Sequence, residues 1–184
     1  YAFLKQELVN LTKKYDSHVL RDLGCGEGYY TSGFQAEEKY GFDMSKEALK
    51  HASKNDPSTQ YAVASIFRLP LEDASCDTAV TCFAPFAKDE IERVLTQGGR
   101  FFFVSPGPKH LFELKQLIYD TPYENEMKDL ETTLVKEEEY FISNTFHCEK
   151  ENLISLFKMT PYYHRTRNED IDKINHQDGM DITA

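Results

Sequence analysis

VLRDLGCGEGYY, residues 19–30, is the stretch on which the fold turns. The short apolar run from His18 to Leu23 reads as a strand, and Gly24, Gly26 and Gly28 interrupt the chain immediately after it. Glycine turns tightly and lets the backbone approach a ligand, because no Cβ stands in the way. From Tyr29 to about Glu38 the chain reads as a helix. Strand, glycine turn and helix together open a doubly wound α/β sheet, whose first turn is where nucleotide ligands bind. The spacing here is G-x-G-x-G, not the G-x-G-x-x-G of dinucleotide sites, and it leaves no room for a phosphate-cradling helix start in the usual register. Asp22, just ahead of the glycines, suits a ligand with a positive amine better than a pyrophosphate. A purely structural glycine turn is the competing explanation.

Working outward, helical and strand-like segments alternate, which predicts an α/β fold with a mostly parallel sheet. Residues 1–15 set Phe3, Leu4, Leu8 and Leu11 at helical spacing. Lys39–Asp43 reads as a second strand, and Ser45 as the N-cap of a helix from Lys46 to Ser53. Gln60–Ala64, Thr78–Phe83 and Arg100–Ser105 read as further strands. Asp89–Leu95 reads as a helix that stops at Gly98-Gly99. After Pro106 the pattern changes: a helix over 109–119, a polar stretch, a strand over 139–148, a helix over 151–159 continued or kinked at Pro161, and a polar helix over 168–177. The last four residues, Asp181 to Ala184, read as a strand that begins and does not finish.

Bulk properties narrow the classes. The 184 residues suit one domain with a sizeable core, and no apolar run approaches the roughly 18 residues that span a bilayer. No membrane partner is expected, and the amphipathic start without a signal core predicts a cytoplasmic protein. Asn10-Leu11-Thr12 is then a chance sequon. The net charge of −10 speaks against a surface built for broad phosphate contact, although segregated charge or a further domain would supply one. Cys25, Cys76, Cys82 and Cys148 form no C-x-x-C pair, so neither disulfides nor a metal site is expected within this stretch.

Downstream of the glycine loop, Asp43 ends the second strand, where an acidic side chain accepts both hydroxyls of a ribose. Its alternative, a cap at the helix entry, is already provided by Ser45. Ala64-Ser65-Ile66 follows the third strand, on the side where an adenine edge would lie. Phe83-Ala84-Pro85 ends the fourth, and reads equally as an apolar turn or as a pocket wall. His110 closes the SPGPKH loop after the fifth strand, either as a surface or capping residue or over the ligand.

These segments carry a resemblance. DLGCGEGYYT (22–31), GFDMSKEALKHA (41–52), VASIFRLPLED (63–73), SPGPKHLFELKQLIY (105–119) and MTPYYHRTR (159–167) resemble the bacterial 23S ribosomal RNA guanine-N1-methyltransferases. The glycine loop is common to many methyltransferases; PGPKHL followed by MTP is much narrower. The resemblance implies a Rossmann-like class I fold, seven strands flanked by helices with the last cut short here, binding S-adenosyl-L-methionine. It implies a catalytic domain over residues 1–184, with a zinc-binding domain ahead of it that this stretch lacks; zinc is expected only there. The substrate implied is a guanine in a 23S rRNA hairpin, and a homodimer is an arrangement the family allows.

By position the resemblance assigns Tyr1, Gly26, Glu27 and His110 to the cofactor. With the residue-level reading, the expected cofactor site comprises Asp22, Gly24, Cys25, Gly28 and Tyr30 around the loop. Asp43 and Met44 follow the second strand, Ser65 and Ile66 the third, and Phe83 the fourth. No residue identifies itself as the base that guanine N1 requires; His110 is a candidate, since its ordinary pKa of about 6.5 suits proton transfer. Two other readings stay open: methyl transfer to a small metabolite, which the acidic charge favours, and a non-catalytic cofactor-binding RNA or assembly factor.

Overall fold

The computed structural model describes every residue except 128 and 161. The chain forms two compact units, residues 1–105 with 130–138, and residues 106–129 with 139–184.

In the first unit, α1 (Ala2–Lys14) leads into β1 (Val19–Leu23), and β2 (Glu38–Asp43), α2 (Lys46–Asn55) and β3 (Gln60–Val63) follow. Then come β4 (Cys76–Cys82), α3 (Lys88–Val94) and β5 (Leu95–Val104). The five strands pair in parallel in the order β3-β2-β1-β4-β5. The chain therefore builds outward from β1 to one edge and then crosses to the other side, which makes the carboxyl end of β1 the switch point where such sheets bind ligands.

β1 is central and buried from Leu20 to Leu23, as a strand covered on both faces must be. On one side Leu20 and Val80 pack with Leu4 and Leu8 of α1 and with Phe34. On the other, Leu23, Phe42 and Ala79 pack with Ile91 and Val94 of α3. Arg21 is buried within the strand because its guanidinium lies over the Tyr40 ring (4.4 Å) and meets Glu38 at 2.6 Å. Ser45 caps α2 as its position predicts, its hydroxyl accepting from the Ala48 N–H.

Two expectations fail in this unit, each for a tertiary reason. The helix expected from Tyr29 to Glu38 is only a 3-10 turn, Thr31–Gly33. Thr31 turns inward to hydrogen-bond Asp22, and Gly33 lies where an added Cβ would come within 2.7 Å of Lys5 and 2.9 Å of Val9. Gly98-Gly99 does not end α3: the helix stops at Val94 and both glycines lie inside β5. The pairing with β4 steps from Cys76–Leu95 to Thr78–Arg100, so β5 carries extra residues there. Gly98, at φ +81°, absorbs that bulge.

The second unit holds α4 (Phe112–Ile118), β6 (Thr145–Glu149), α5 (Lys150–Lys158), α6 (Asn168–Asn175) and β7 (Gly179–Thr183). β6 and β7 pair antiparallel, and Leu114, Leu153, Phe157, Ile174 and Ile182 form the core around them. Seven strands are present among the described residues, as expected, but not in the one mostly parallel sheet expected: five form the parallel sheet, and β6 and β7 pair with each other instead. The sixth begins at Thr145 rather than at residue 139. The seventh begins at Gly179, two residues ahead of the expected Asp181, and backbone bonding reaches Ala184 through Asn144 (2.8 and 3.0 Å). The kink expected at Pro161 falls outside the described residues. Among those described, no helix is long and apolar enough to cross a membrane.

Candidate functional site

At the carboxyl ends of four strands a cavity of about 420 Å³ opens, within the range of small-molecule sites. Gly24 contributes from β1, Asp43 and Met44 from β2, Ser65, Ile66 and Phe67 from β3, and Cys82 to Pro85 from β4. Of the residues expected from the sequence, Gly24, Asp43, Met44, Ser65, Ile66 and Phe83 are brought together in this lining.

The glycine loop takes its shape from backbone that other residues rarely adopt: Gly24, Gly26 and Gly28 have φ of +80°, +55° and +73°. A Cβ on Gly24 would lie 2.6 Å from that of Ala84, so the β1 and β4 ends approach as closely as they do only because Gly24 has none. The Gly24 and Cys25 N–H groups both donate to the Phe42 carbonyl (2.8 and 3.0 Å), fastening the loop to β2. Asp43 completes the brace. One carboxylate oxygen accepts from the Gly26 N–H and the other from the Ser45 N–H, both at 2.8 Å. Each oxygen keeps a second lone pair for a ligand. Asp43 is thus both part of the loop's scaffold and part of the cavity wall.

Asp22, Cys25, Gly26, Glu27, Gly28 and Tyr30 are not in the lining but flank Gly24 in the sequence. Asp22 is buried, and the Thr31 hydroxyl donates to it at 2.5 Å. Burial pushes its carboxyl up to about 7, against the opposing pull of the Thr31 bond, with a further upward push from Asp43. Burial likewise raises the Cys25 and Cys82 thiols, with Asp22 adding to the push on both and Asp43 on Cys25, which disfavours the thiolates. Gly28 sits where a Cβ would meet the Tyr61 hydroxyl at 2.6 Å and Ala52 at 3.0 Å, so it serves packing of the loop. Glu27 is exposed. Tyr1 and Tyr30 flank Phe83, with ring centroids 5.9 and 6.4 Å away.

His110 belongs to the second unit, where its N–H donates to the Gly107 carbonyl at 3.1 Å. Burial, then the Lys115 ammonium, holds its imidazole below the usual histidine range and so favours the neutral ring.

Sequence reasoning missed Phe67, Cys82 and Thr31. Phe67 is 61% exposed, a lone aromatic in the irregular stretch after β3, and no periodicity marks it. Thr31 was read as part of a helix; its partner Asp22 is nine residues away and only the folded turn brings them together.

With the geometry in place, the comparisons fall into line. Residues 21–103 match the family described as "Methyltransferase domain", a span inside the first unit. A Bacillus subtilis protein provisionally named a 23S rRNA (guanine-N1)-methyltransferase is 28% identical over 97% of this chain and 68% of its own length. The 23S rRNA (guanine(748)-N1)-methyltransferase of Streptomyces fradiae is 37% identical over 50% of this chain, which spans only 35% of that protein. Among structures, the YcgJ protein of Bacillus subtilis superposes with a TM-score of 0.63 over 96% of this chain and 85% of its own, at 18% identity, a likeness of fold alone. Residues 21–103 thus carry a methyltransferase-domain match, and the sequence relatives are those the motifs led to, the 23S rRNA guanine-N1-methyltransferases.

Proposed function

We propose that this chain transfers a methyl group from S-adenosylmethionine to N1 of a guanine in a hairpin of 23S rRNA. The observation that carries the reading is Asp43 at the cavity edge, braced against the glycine loop with lone pairs to spare. The curated relatives supply the substrate.

The residues present fit the cofactor. Asp43 takes the ribose hydroxyls, Ile66 with Met44 supplies apolar contact for the adenine, and Ser65 offers a hydroxyl at its edge. Gly24 admits the ligand where any Cβ would crowd Ala84. Asp22, a buried carboxyl near neutrality, is stabilised as the anion when a cationic amine comes close. Bound S-adenosylmethionine supplies a methyl group already activated on a sulfonium. The chain's own task is therefore alignment, and proximity provides most of the acceleration. The donor would give up its methyl carbon to guanine N1 and keep the carbon–sulfur electron pair on sulfur, and the residues named above would hold it for that approach. The N1 proton passes to a base, for which the neutral His110 is our candidate. A base within a hairpin offers its N1 edge only when unstacked or already exposed.

The test uses the full-length protein, labelled S-adenosylmethionine and unmodified 23S rRNA, with the product mapped by nuclease digestion and mass spectrometry. Label recovered as 1-methylguanosine in one hairpin is the expected result. Cofactor binding with unlabelled rRNA, and label instead in a metabolite extract, would turn the reading to a small-molecule methyltransferase.

A further inference from the structure

Phe83 stands out among the residues around the cavity. It follows β4 directly, at φ +57°, a left-handed conformation that favours glycine or asparagine and strains an aromatic residue. Its N–H is anchored on the Val104 carbonyl of β5 at 2.9 Å, so the backbone is held in that geometry by the sheet. The left-handed turn swings the chain out of the strand and brings Ala84 against Gly24. Phe83 lines the cavity and is 39% exposed, so the residue is not sunk into the core. Tyr1 meets it edge-on at 73°, and Tyr30 tilts against it at 46°. Strain and exposure both act against stability, and a smaller, more flexible residue would relieve both.

The order of strand ends says what the ring faces. Across the cavity the wall runs from the β3 end (Ser65, Ile66, Phe67) through β2 (Asp43, Met44) and β1 (Gly24) to β4 (Phe83). A nucleoside anchored by its ribose on Asp43, with its base toward the β3 end, directs its 5′ carbon toward β1 and β4. The reactive methyl is carried at that end, and an acceptor attacking in line must come from beyond it. Phe83 lies on that side.

We propose that Phe83 is the stacking platform for the acceptor base, the ring against which a flat purine lies while its N1 edge meets the methyl group. The inference rests on the methyl-transfer reading above and deepens it, giving the acceptor a contact of stated chemistry. Stacking suits an acidic protein, since an aromatic face attracts a base without needing phosphate contacts. The rigid backbone and the two flanking tyrosines keep the ring from turning aside, which lowers the ordering cost of the contact.

The 184 residues contain no tryptophan, so Phe83→Trp in the full-length protein puts a reporter indole on the platform while keeping an aromatic face. Its emission, taken as the difference from the parent protein, is titrated with S-adenosylhomocysteine, with a guanine-bearing 23S rRNA hairpin, and with the same hairpin made abasic at the target. Quenching by the guanine hairpin alone is expected. In parallel, Phe83→Leu should lower kcat/KM for the rRNA by about 10-fold or more, the stacking range for one base, while cofactor affinity stays within about 2-fold and Phe83→Tyr restores the rate. Equal quenching by S-adenosylhomocysteine, or a matching loss of cofactor affinity in Phe83→Leu, would put the ring on the cofactor and overturn the proposal. Quenching that fails while wild-type protein still labels rRNA would also overturn it and leave the methyl-transfer reading intact. Hairpin quenching with no label on rRNA would sink the rRNA reading and leave the platform standing.

Discussion

Asp22 in the first unit and Lys115 in the second are both almost wholly buried, and the chain treats them in opposite ways. The Lys115 ammonium donates to the Tyr123 carbonyl at 3.0 Å and to Asn125 Oδ1 at 2.7 Å, with the Tyr123 and Tyr162 rings 4.4 and 5.1 Å from it. Asn125 is itself tied to the Gly107 and Pro108 carbonyls at 2.8 and 2.9 Å. That network closes on itself and fastens the segment from Gly107 to Asn125 as a unit. Burial lowers the Lys115 pKa, yet polar and aromatic partners surround the charge. Asp22 is held by one hydroxyl, two residues ahead of the loop that lines the cavity, and burial carries its carboxyl to about 7. A buried charge with a closed set of partners belongs to the scaffold. One with a sparse set beside a cavity marks where a ligand's charge is wanted.

The largest effect that sharpens this contrast should come from Lys115→Ala. It strands the Tyr123 carbonyl and the Asn125 amide and opens a void, costing about 3–4 kcal/mol of stability. Thermal denaturation, with hydrogen exchange read over residues 106–125, checks it; an unchanged melting temperature would break the scaffold half of the comparison. Next is Asp43→Ala, which removes the brace on Gly26 and, on the proposed reading, the acceptors for the ribose hydroxyls. Calorimetric titration with S-adenosylmethionine should show roughly 100-fold weaker binding, about 2.7 kcal/mol.

A smaller effect concerns pH. The folded-state pKa of Asp22, about 7, lies above its ordinary 3.8. Between those values the folded chain keeps a proton that the unfolded chain has released. Stability of the ligand-free protein should therefore fall as pH rises through that window and level off above 7. The expected loss is up to about 2 kcal/mol between pH 5 and 7. Asp22→Asn should flatten the profile, and an equally steep slope in that variant would assign it to other groups. The smallest effect separates two left-handed glycines. Gly98 has open space where a Cβ would go, so Gly98→Ala should cost only about 1 kcal/mol of backbone strain. Gly24→Ala meets Ala84 as well and should cost more than that, with weakened cofactor binding in the same titration. Equal costs at the two positions would remove the close approach of β1 and β4 from the account.

The two units also differ in how much could be read from residues alone. The Asp22–Gly28 stretch, Asp43 at a strand end and the Ser45 cap are local features, and periodicity and glycine spacing expose such features directly. The helix expected from Tyr29 and the stop expected at Gly98-Gly99 failed because a neighbouring element overrode local preference. Thr31 was drawn to Asp22 and Gly33 to α1, and Gly98 was needed for a bulge against β4. Phe67 carried no signal at all, since a single exposed aromatic in a loop resembles any other. Lys115 reads in the sequence as an ordinary helix lysine; only the return of Tyr123, Asn125 and Tyr162 makes it a buried one.

By itself, then, the sequence determined the class of fold, the glycine loop and the acidic strand end, because each depends on residues close together in the chain and on backbone geometry that few residues tolerate. The tertiary structure alone decided which of these residues share a cavity, the near-neutral pKa of Asp22, the burial of Lys115 and the exposed Phe83 on its strained backbone. Those properties arise from groups distant in sequence that displace one another's water, and desolvation has no local signature.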